Sequence, residues 1–214
     1  MRDLRIYSRN KGSWVNPLIF IFMAITLFTL GIGPDFSLNI NNSISIIWVI
    51  SILSIMLCLD SLFNEDFNDG SLDQILLSPQ PIYLGILSKI TSFWIVTCLP
   101  VLISSPFLCL ILDINFTIIP YLVISLFLGT IILSFIGAIS TSLTLSLNNG
   151  SVLASVISIP FFVPVIIFGT ELTIYAYQGW SILSTLMMLI GLTLASLCFA
   201  PFAIIAALRL SVEF

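Results

Sequence analysis

The sequence predicts an all-α membrane protein with six transmembrane helices, and three observations support that fold class. Of the 214 residues, 59% are hydrophobic and 7% are charged, whereas about a quarter of the residues in a soluble domain are charged. Mean hydropathy is +1.21. Apolar runs of about 17 residues or more recur along nearly the whole chain, each long enough to cross a hydrocarbon core of about 30 Å. Lipid is therefore the solvent expected for most of the surface.

The predicted spans are, in chain order, 14–32, 44–63, 83–112, 118–147, 152–170 and 182–208. The third and fourth exceed the hydrocarbon thickness, so we expect them to tilt, kink or run partly along a surface. Pro100 and Pro106 predict a kink in the third, because proline removes a backbone donor. Pro160 and Pro164 either bend a full fifth helix or end a half-helix. No segment between spans is long enough for a soluble domain, so residues 1–214 form a single transmembrane domain.

The six basic residues predict the orientation of the chain. Four of them precede the first span, which is expected to be retained as a helix because no small-residue cleavage site follows it. Lys89 lies near the start of the third span and Arg209 follows the sixth. All six then fall on one side, which the positive-inside rule makes the inner side. Both termini are expected inside, and the loops 33–43, 113–117 and 171–181 are expected outside.

The most informative polar segment is 64–81, on the inner side between the second and third spans. Ser71 and Gln74 have the spacing of a capping box, and Gly70 permits a sharp entry into a helix. Two prolines then end that helix after about two turns. It carries an apolar face formed by Leu72, Ile75 and Leu76.

A helix of two turns is unstable alone in water, so its apolar face must rest on another surface. That surface is the chain's own membrane domain, the lipid interface or a cytoplasmic partner. The segment also contains four acidic side chains: Glu65, Asp66, Asp69 and Asp73. Because an acidic loop is not attracted to anionic lipid, protein is favoured over lipid as the surface that the helix meets.

Asp60 and Lys89 form a separate hypothesis. They lie near the same membrane surface on consecutive antiparallel spans. A charge at that depth is costly unless it is partnered or reaches the interface, so an ion pair between them is one expectation. Independent snorkelling of Lys89 is the other.

The sequence also excludes several kinds of chemistry. The chain contains no histidine, so histidine metal sites, Ser-His-Asp or Cys-His catalysis and axial histidine ligation of haem by this chain are excluded. There is no phosphate-binding P-loop motif, so any ATP must be hydrolysed by another chain. The predicted spans lack ionisable residues in their central thirds, which disfavours an ion-coupled carrier. We therefore expect a transporter subunit without its own ATPase site, and neither a catalytic, metal or cofactor site nor a nucleic-acid partner.

The order and spacing of short motifs along the whole chain resemble the CcmB family, the permease subunits of the cytochrome c maturation ABC transporter. The most specific stretch comprises Leu62-Phe63, Asp66, Asp69-Gly70-Ser71-Leu72-Asp73-Gln74 and Leu77-Ser78-Pro79. Further matches are Asn16-Pro17-Leu18, Gly33-Pro34, Trp48-Val49, Lys89, Trp94, Leu99-Pro100, Ser105-Pro106, Gly129-Thr130, Gly137-Ala138, Pro160, Pro164 and Ala206-Ala207-Leu208-Arg209. The chain departs from the family pattern at Phe93, where histidine is frequent, so a role for that histidine does not carry over.

The resemblance implies an ABC-2-like exporter permease that binds the ATPase subunit CcmA on the inner side and works beside CcmC and CcmD. In that family the complex uses ATP to release the haem-loaded chaperone CcmE, so haem is the expected transported or handled species. The resemblance also implies that the inner segment couples to the ATPase, through Glu65, Asp66, Asp69, Gly70, Ser71, Leu72, Asp73, Gln74, Ile75 and Leu76.

The expected location is the bacterial inner membrane, with the mitochondrial inner membrane as the alternative. Two other functions remain open on the sequence. One is a permease of another ABC exporter, for lipid or drug, and the other is a membrane assembly subunit with no transport cycle.

Overall fold

The computed structural model describes residues 12–32, 40–70, 72, 82–147 and 150–212, and regular structure in these ranges is entirely helical. The helices are α1 Gly12–Ile32, α2 Ile40–Cys58, α3 Asn64–Asn68, α4 Ile82–Phe93, α5 Leu99–Ile111, α6 Ile119–Thr144, α7 Gly150–Gln178 and α8 Leu183–Val212. A 3-10 turn, Leu59–Leu62, prolongs α2, and a π-helical turn, Trp94–Cys98, joins α4 to α5.

Five helical stretches are long and apolar enough to cross a membrane: Ile40–Leu62, Ile82–Ile111, Ile119–Thr144, Gly150–Gln178 and Leu183–Ser211. A shorter apolar helix, Val15–Gly31, precedes them. Within the described residues, the predicted class of an all-α protein with six spans is confirmed. The chain is a multi-pass membrane protein.

The third span changes its helical pitch just before its first proline. The backbone N–H of Leu99 donates to the carbonyl of Trp94, five residues earlier, instead of bonding four residues back. Pro100 follows and has no N–H to donate, so the normal ladder is interrupted there. A π-helical turn is a known way for a helix to absorb such an interruption. Pro106 lies inside α5, which continues past it to Ile111.

The fifth span is one continuous helix. Pro160 and Pro164 both lie inside α7, so the half-helix alternative is wrong. The helix also continues past Thr170 through Glu171 to Gln178, and the outer loop predicted at 171–181 is correspondingly shorter. The extension buries Leu172 and Thr173, which directly follow the Glu171 carboxylate. Gly179, at φ +72°, then ends the helix in the left-handed conformation.

The centre of the bundle is α6, which packs most extensively against α7 and α8. Trp48 of α2 is fully buried beside two glycines, Gly129 of α6 and Gly169 of α7. A Cβ atom at either glycine would lie well inside van der Waals distance of the Trp48 ring. The glycines therefore form a notch that admits the indole and brings three helices together.

Hydrogen bonds between polar side chains and neighbouring helices connect the bundle. Ser54 of α2 donates to the carbonyl of Pro17 in α1 at 3.1 Å. The Trp94 indole donates to the Thr130 hydroxyl at 3.1 Å, and Ser211 of α8 donates to the backbone carbonyl of Ser142 in α6 at 2.9 Å. In a membrane such bonds contribute about 0.6 kcal/mol each on average, so they specify the packing more than they drive it.

Candidate coupling site at the inner end of the bundle

One end of the bundle gathers the ends of α2, α6 and α8 with the starts of α4 and α7. Lys89 of α4 pairs with Asp66, which follows α2. Asp60, in the 3-10 turn that follows α2, lies next to Ser151 at the start of α7. Both basic residues that the structure describes, Lys89 and Arg209, belong to these helix ends. We call this end the inner end, following the predicted orientation.

Lys89 is the central cation of the site. Its ammonium forms an ion pair with the carboxylate of Asp66, and its side chain is only 7% exposed, against 27% for Asp66. The same ammonium lies 5.2 Å from the centre of the Phe63 ring, within the range of a cation–π contact. A lysine buried in a membrane bundle is costly unless its charge is compensated. Asp66 and Phe63 compensate it together.

The local fold explains how these groups meet. The N–H of Phe67 donates to the carbonyl of Phe63 at 2.9 Å, so Phe63 leads directly into α3. Residues three apart share a helical face, which places the Phe63 ring and the Asp66 carboxylate on one side of this turn. Gly70, at φ +68°, ends the turn in a conformation that few residues other than glycine adopt readily. The ion pair between Asp66 and Lys89 therefore connects α3, which follows the end of α2, with α4.

The predicted coupling residues fall into two groups. Asp66, Asp69, Gly70 and Leu72 are described, with Asp69 and Gly70 exposed and Leu72 buried. Glu65 has a described backbone, in α3, but its side chain lies outside the description. The remaining predicted residues and the capping box, Ser71, Asp73, Gln74, Ile75 and Leu76, lie outside the described residues.

Leu72 is 3% exposed and belongs to the same hydrophobic cluster as the cores of the spans. Its apolar side chain therefore rests on the chain's own membrane domain, one of the three surfaces that the sequence left open. Asp69 and Gly70, which precede Leu72, are exposed. The role of the segment in binding an ATPase stays a prediction.

Asp60 and Lys89 lie next to different residues. Lys89 pairs with Asp66, while Asp60 lies beside Ser151 in the cleft between α2 and α7. The ion pair that the structure shows for Lys89 is with Asp66. The hypothesis of an Asp60–Lys89 pair stays a prediction. The sequence did carry a signal for the pair with Asp66, because Phe63 and Asp66 have the i, i+3 spacing that brings a ring and a carboxylate to one point. No comparable signal identified Ser151.

Comparison with known proteins identifies the family of this chain. The family model described as CcmB protein matches residues 1–211. The chain belongs to the CcmB family. A relative from Haemophilus influenzae is 40% identical over 212 residues, covering 99% of this chain and 96% of the relative. A relative from Pseudomonas aeruginosa is 37% identical over 211 residues, with coverages of 99% and 95%. A third, from Paracoccus denitrificans, is 38% identical over 213 residues, with coverages of 100% and 98%.

All three relatives carry the name heme exporter protein B. The match to each runs through every described helix of the bundle, and the family match also includes the inner segment that holds Asp66 and Gly70. The CcmB resemblance that the motifs indicated is confirmed along nearly the whole chain. The motif around Asp66 thus contains one partner of the buried ion pair and the glycine that ends α3.

Proposed function

We propose that this CcmB-family chain is the membrane permease subunit of an ABC transporter complex for cytochrome c maturation. In this proposal ATP hydrolysis by a CcmA-type subunit drives haem export, or release of haem from a CcmE-type chaperone. The relatives' name, heme exporter protein B, supports haem as the handled species. This chain supplies the bundle, and the partner supplies the ATPase site.

The observation that carries the proposal is the ion pair between Asp66 and Lys89. Asp66 lies on the short helix of the inner segment, and Lys89 lies on the third span. A force applied to the inner segment is thereby transmitted to a membrane helix through a buried charge pair as well as through the backbone. Such a connection is what an external motor needs in order to move the bundle.

The surface offered to that motor is the exposed turn after α3. Asp69 and Gly70 are exposed, whereas Leu72 next to them is anchored in the core. An exposed carboxylate is complementary to a basic patch on a partner, and charge complementarity of this kind mainly sets specificity and association rate. We therefore assign the contact with the ATPase to the turn at Asp69 and the transmission of movement to Asp66 and Lys89.

Asp69→Lys tests the contact. We expect the chain to insert and fold as before, because Asp69 is exposed, while association with the CcmA-type ATPase falls at least tenfold, which corresponds to about 1.4 kcal/mol. The measurements are co-purification of the ATPase and the amount of haem-loaded cytochrome c in cells. Gln178→Lys is the matched control, since it places the same charge on an exposed residue at the far end of α7. Equal co-purification from both variants would contradict the assignment.

CcmC- and CcmD-type membrane subunits complete the proposed complex, and the three relatives described above come from bacteria, which supports the bacterial inner membrane as the location. The amount of haem-loaded cytochrome c separates this function from that of an exporter for lipid or drug. A non-transporting assembly subunit is distinguished by a different measurement, namely whether ATP hydrolysis by the bound ATPase changes the conformation of this chain.

A further inference from the structure

A cleft between α2 and α7 opens at the inner end of the bundle. It encloses about 390 Å³, and its polar wall is formed by Asp60, Ser151 and Ser155. A second space of about 310 Å³ continues from it toward the middle of the bundle, and Leu53 and Met56 line both. The two spaces therefore form one elongated cleft. Both volumes fall in the range of about 300–1,000 Å³ that is typical of small-ligand sites.

The half of the cleft that lies nearer the middle of the bundle's length is lined by apolar side chains. It opens at the side of the bundle. Val49 and Leu53 line it on α2, and Ile159 and Val163 line it on α7. All four side chains are exposed in this chain, so the cleft is accessible from the side of the bundle. With a rise of about 1.5 Å per residue in α2 and about 2.0 Å in the 3-10 turn, Asp60 and Val49 lie about 17 Å apart along the helix axis. That length matches one leaflet of a hydrocarbon core of about 30 Å.

The polar half of the cleft selects for positive charge. Asp60 lines the cleft together with the hydroxyl-bearing side chains of Ser151 and Ser155, and a carboxylate accepts several donors at once. Among the described residues, the ion pair at this end of the bundle is the one between Asp66 and Lys89. No described basic side chain forms an ion pair with Asp60. A carboxylate at this position attracts an ammonium group. It repels anionic headgroups and the carboxylates of haem.

We propose that this cleft binds an amine-headed phospholipid of the inner leaflet. Its ammonium group lies at Asp60, and one of its acyl chains lies between α2 and α7. A primary ammonium donates up to three hydrogen bonds, whereas a trimethylated choline headgroup donates none. The site therefore prefers phosphatidylethanolamine to phosphatidylcholine. The anionic headgroup of phosphatidylglycerol is disfavoured by the charge of Asp60.

The experiment uses the chain in its complex, reconstituted in phosphatidylcholine nanodiscs. The nanodiscs contain a small fraction of a phospholipid with a photoactivatable acyl chain and an ethanolamine, choline or glycerol headgroup. We expect the ethanolamine lipid to label Val49, Leu53 and Val163 at least fivefold more than the other two, as mapped by mass spectrometry of the peptides. Equal labelling by the three headgroups would overturn the proposal, as would crosslinks from these residues to another protein chain in place of lipid.

Two variants test the two halves of the cleft separately. Asp60→Asn removes the charge, and we expect it to reduce the headgroup preference to less than twofold. Asp113→Asn, an exposed acidic residue at the opposite end of the bundle, is the control and should retain the full preference. Leu53→Trp fills the cleft and should reduce labelling at Val49 and Val163 for every headgroup. A preference that survives Asp60→Asn, or labelling that survives Leu53→Trp, would refute the site, and the headgroup comparison in the unaltered chain requires no variant to fold.

Discussion

At the scale of single residues, the tightest packing is that of Trp48 in the notch formed by Gly129 and Gly169. The indole N–H has no hydrogen-bond partner among the described residues, so the ring is held by shape and not by a polar contact. Lipid tails are as apolar as the side chains they would replace, and helices in a membrane therefore associate through close packing at small residues. Trp48 and its two glycines provide such packing between α2, α6 and α7.

Gly169→Ala is expected to destabilise the bundle even though alanine is the better helix former. The gain in helix propensity is about 1 kcal/mol. The added Cβ meets the rigid Trp48 ring, and overpacking of this kind costs about 1–3 kcal/mol. Gly191→Ala is the matched control, because a Cβ there meets nothing within 4 Å. The midpoint of thermal unfolding in detergent should be about 4–8 °C lower for Gly169→Ala than for Gly191→Ala.

A double-mutant cycle identifies the clash as the cause. In a Trp48→Leu background the large ring is absent, so Gly169→Ala should lose most of its effect or become stabilising. If Gly169→Ala lowered the midpoint equally with and without the tryptophan, the packing explanation would be wrong.

Leu72→Asp is a poorer test of partner binding than Asp69→Lys. Leu72 is buried, so its replacement disturbs the fold itself.

At the scale of elements, the inner segment is attached to the third span by a charge pair. Lys89→Met keeps the length of the side chain but leaves the Asp66 carboxylate without that cation. Breaking a fully buried pair costs about 3–5 kcal/mol, and since Asp66 is 27% exposed we expect about 2–3 kcal/mol. The free energy of unfolding in mixed detergent measures the change. Arg209→Met removes an exposed charge from the same end and should change it by less than about 0.5 kcal/mol.

Restoring neutrality should recover part of the loss. With Lys89→Met already present, Asp66→Asn removes the carboxylate that has lost the Lys89 cation, so the double variant is expected to be more stable than Lys89→Met alone. A double variant that is less stable than the single one would show that Asp66 contributes through contacts other than this pair. The ATPase response should be lost in both, because the connection between α3 and α4 is lost in both.

The elements differ in how far the sequence predicted them. The spans were predictable because apolar length is a local property of the chain, and the largest error, at Glu171, came from treating one carboxylate as the end of a helix. The partner of Lys89 was harder to predict from the sequence. Asp60 and Asp66 both lie near the inner surface, and the choice between them depends on the 3-10 turn Leu59–Leu62. That turn has about 3.0 residues per turn and so rotates the following residues relative to a regular helix.

At the scale of the whole molecule, the two ends of the bundle differ in charge and in composition. The inner end contains both described basic residues, whereas Asp113, Gln178 and Trp180 lie at the other end. The positive-inside rule depends on lysine and arginine and not on net charge. With six crossings, the rule places all six basic residues of the sequence on the inner side, and this orientation stays a prediction.

Accessibility of single cysteines tests that orientation. Cys198 is exposed while Cys58, Cys98 and Cys109 are buried, so a Cys198→Ser background removes the exposed native thiol among the described residues. Asp69→Cys and Gln178→Cys are then introduced one at a time at exposed positions. A membrane-impermeant maleimide should label Gln178→Cys on intact spheroplasts and Asp69→Cys only in inverted vesicles. The opposite pattern would place the turn at Asp69 away from ATP, and an ATPase-driven motion of this bundle through Asp66 and Lys89 would then be impossible.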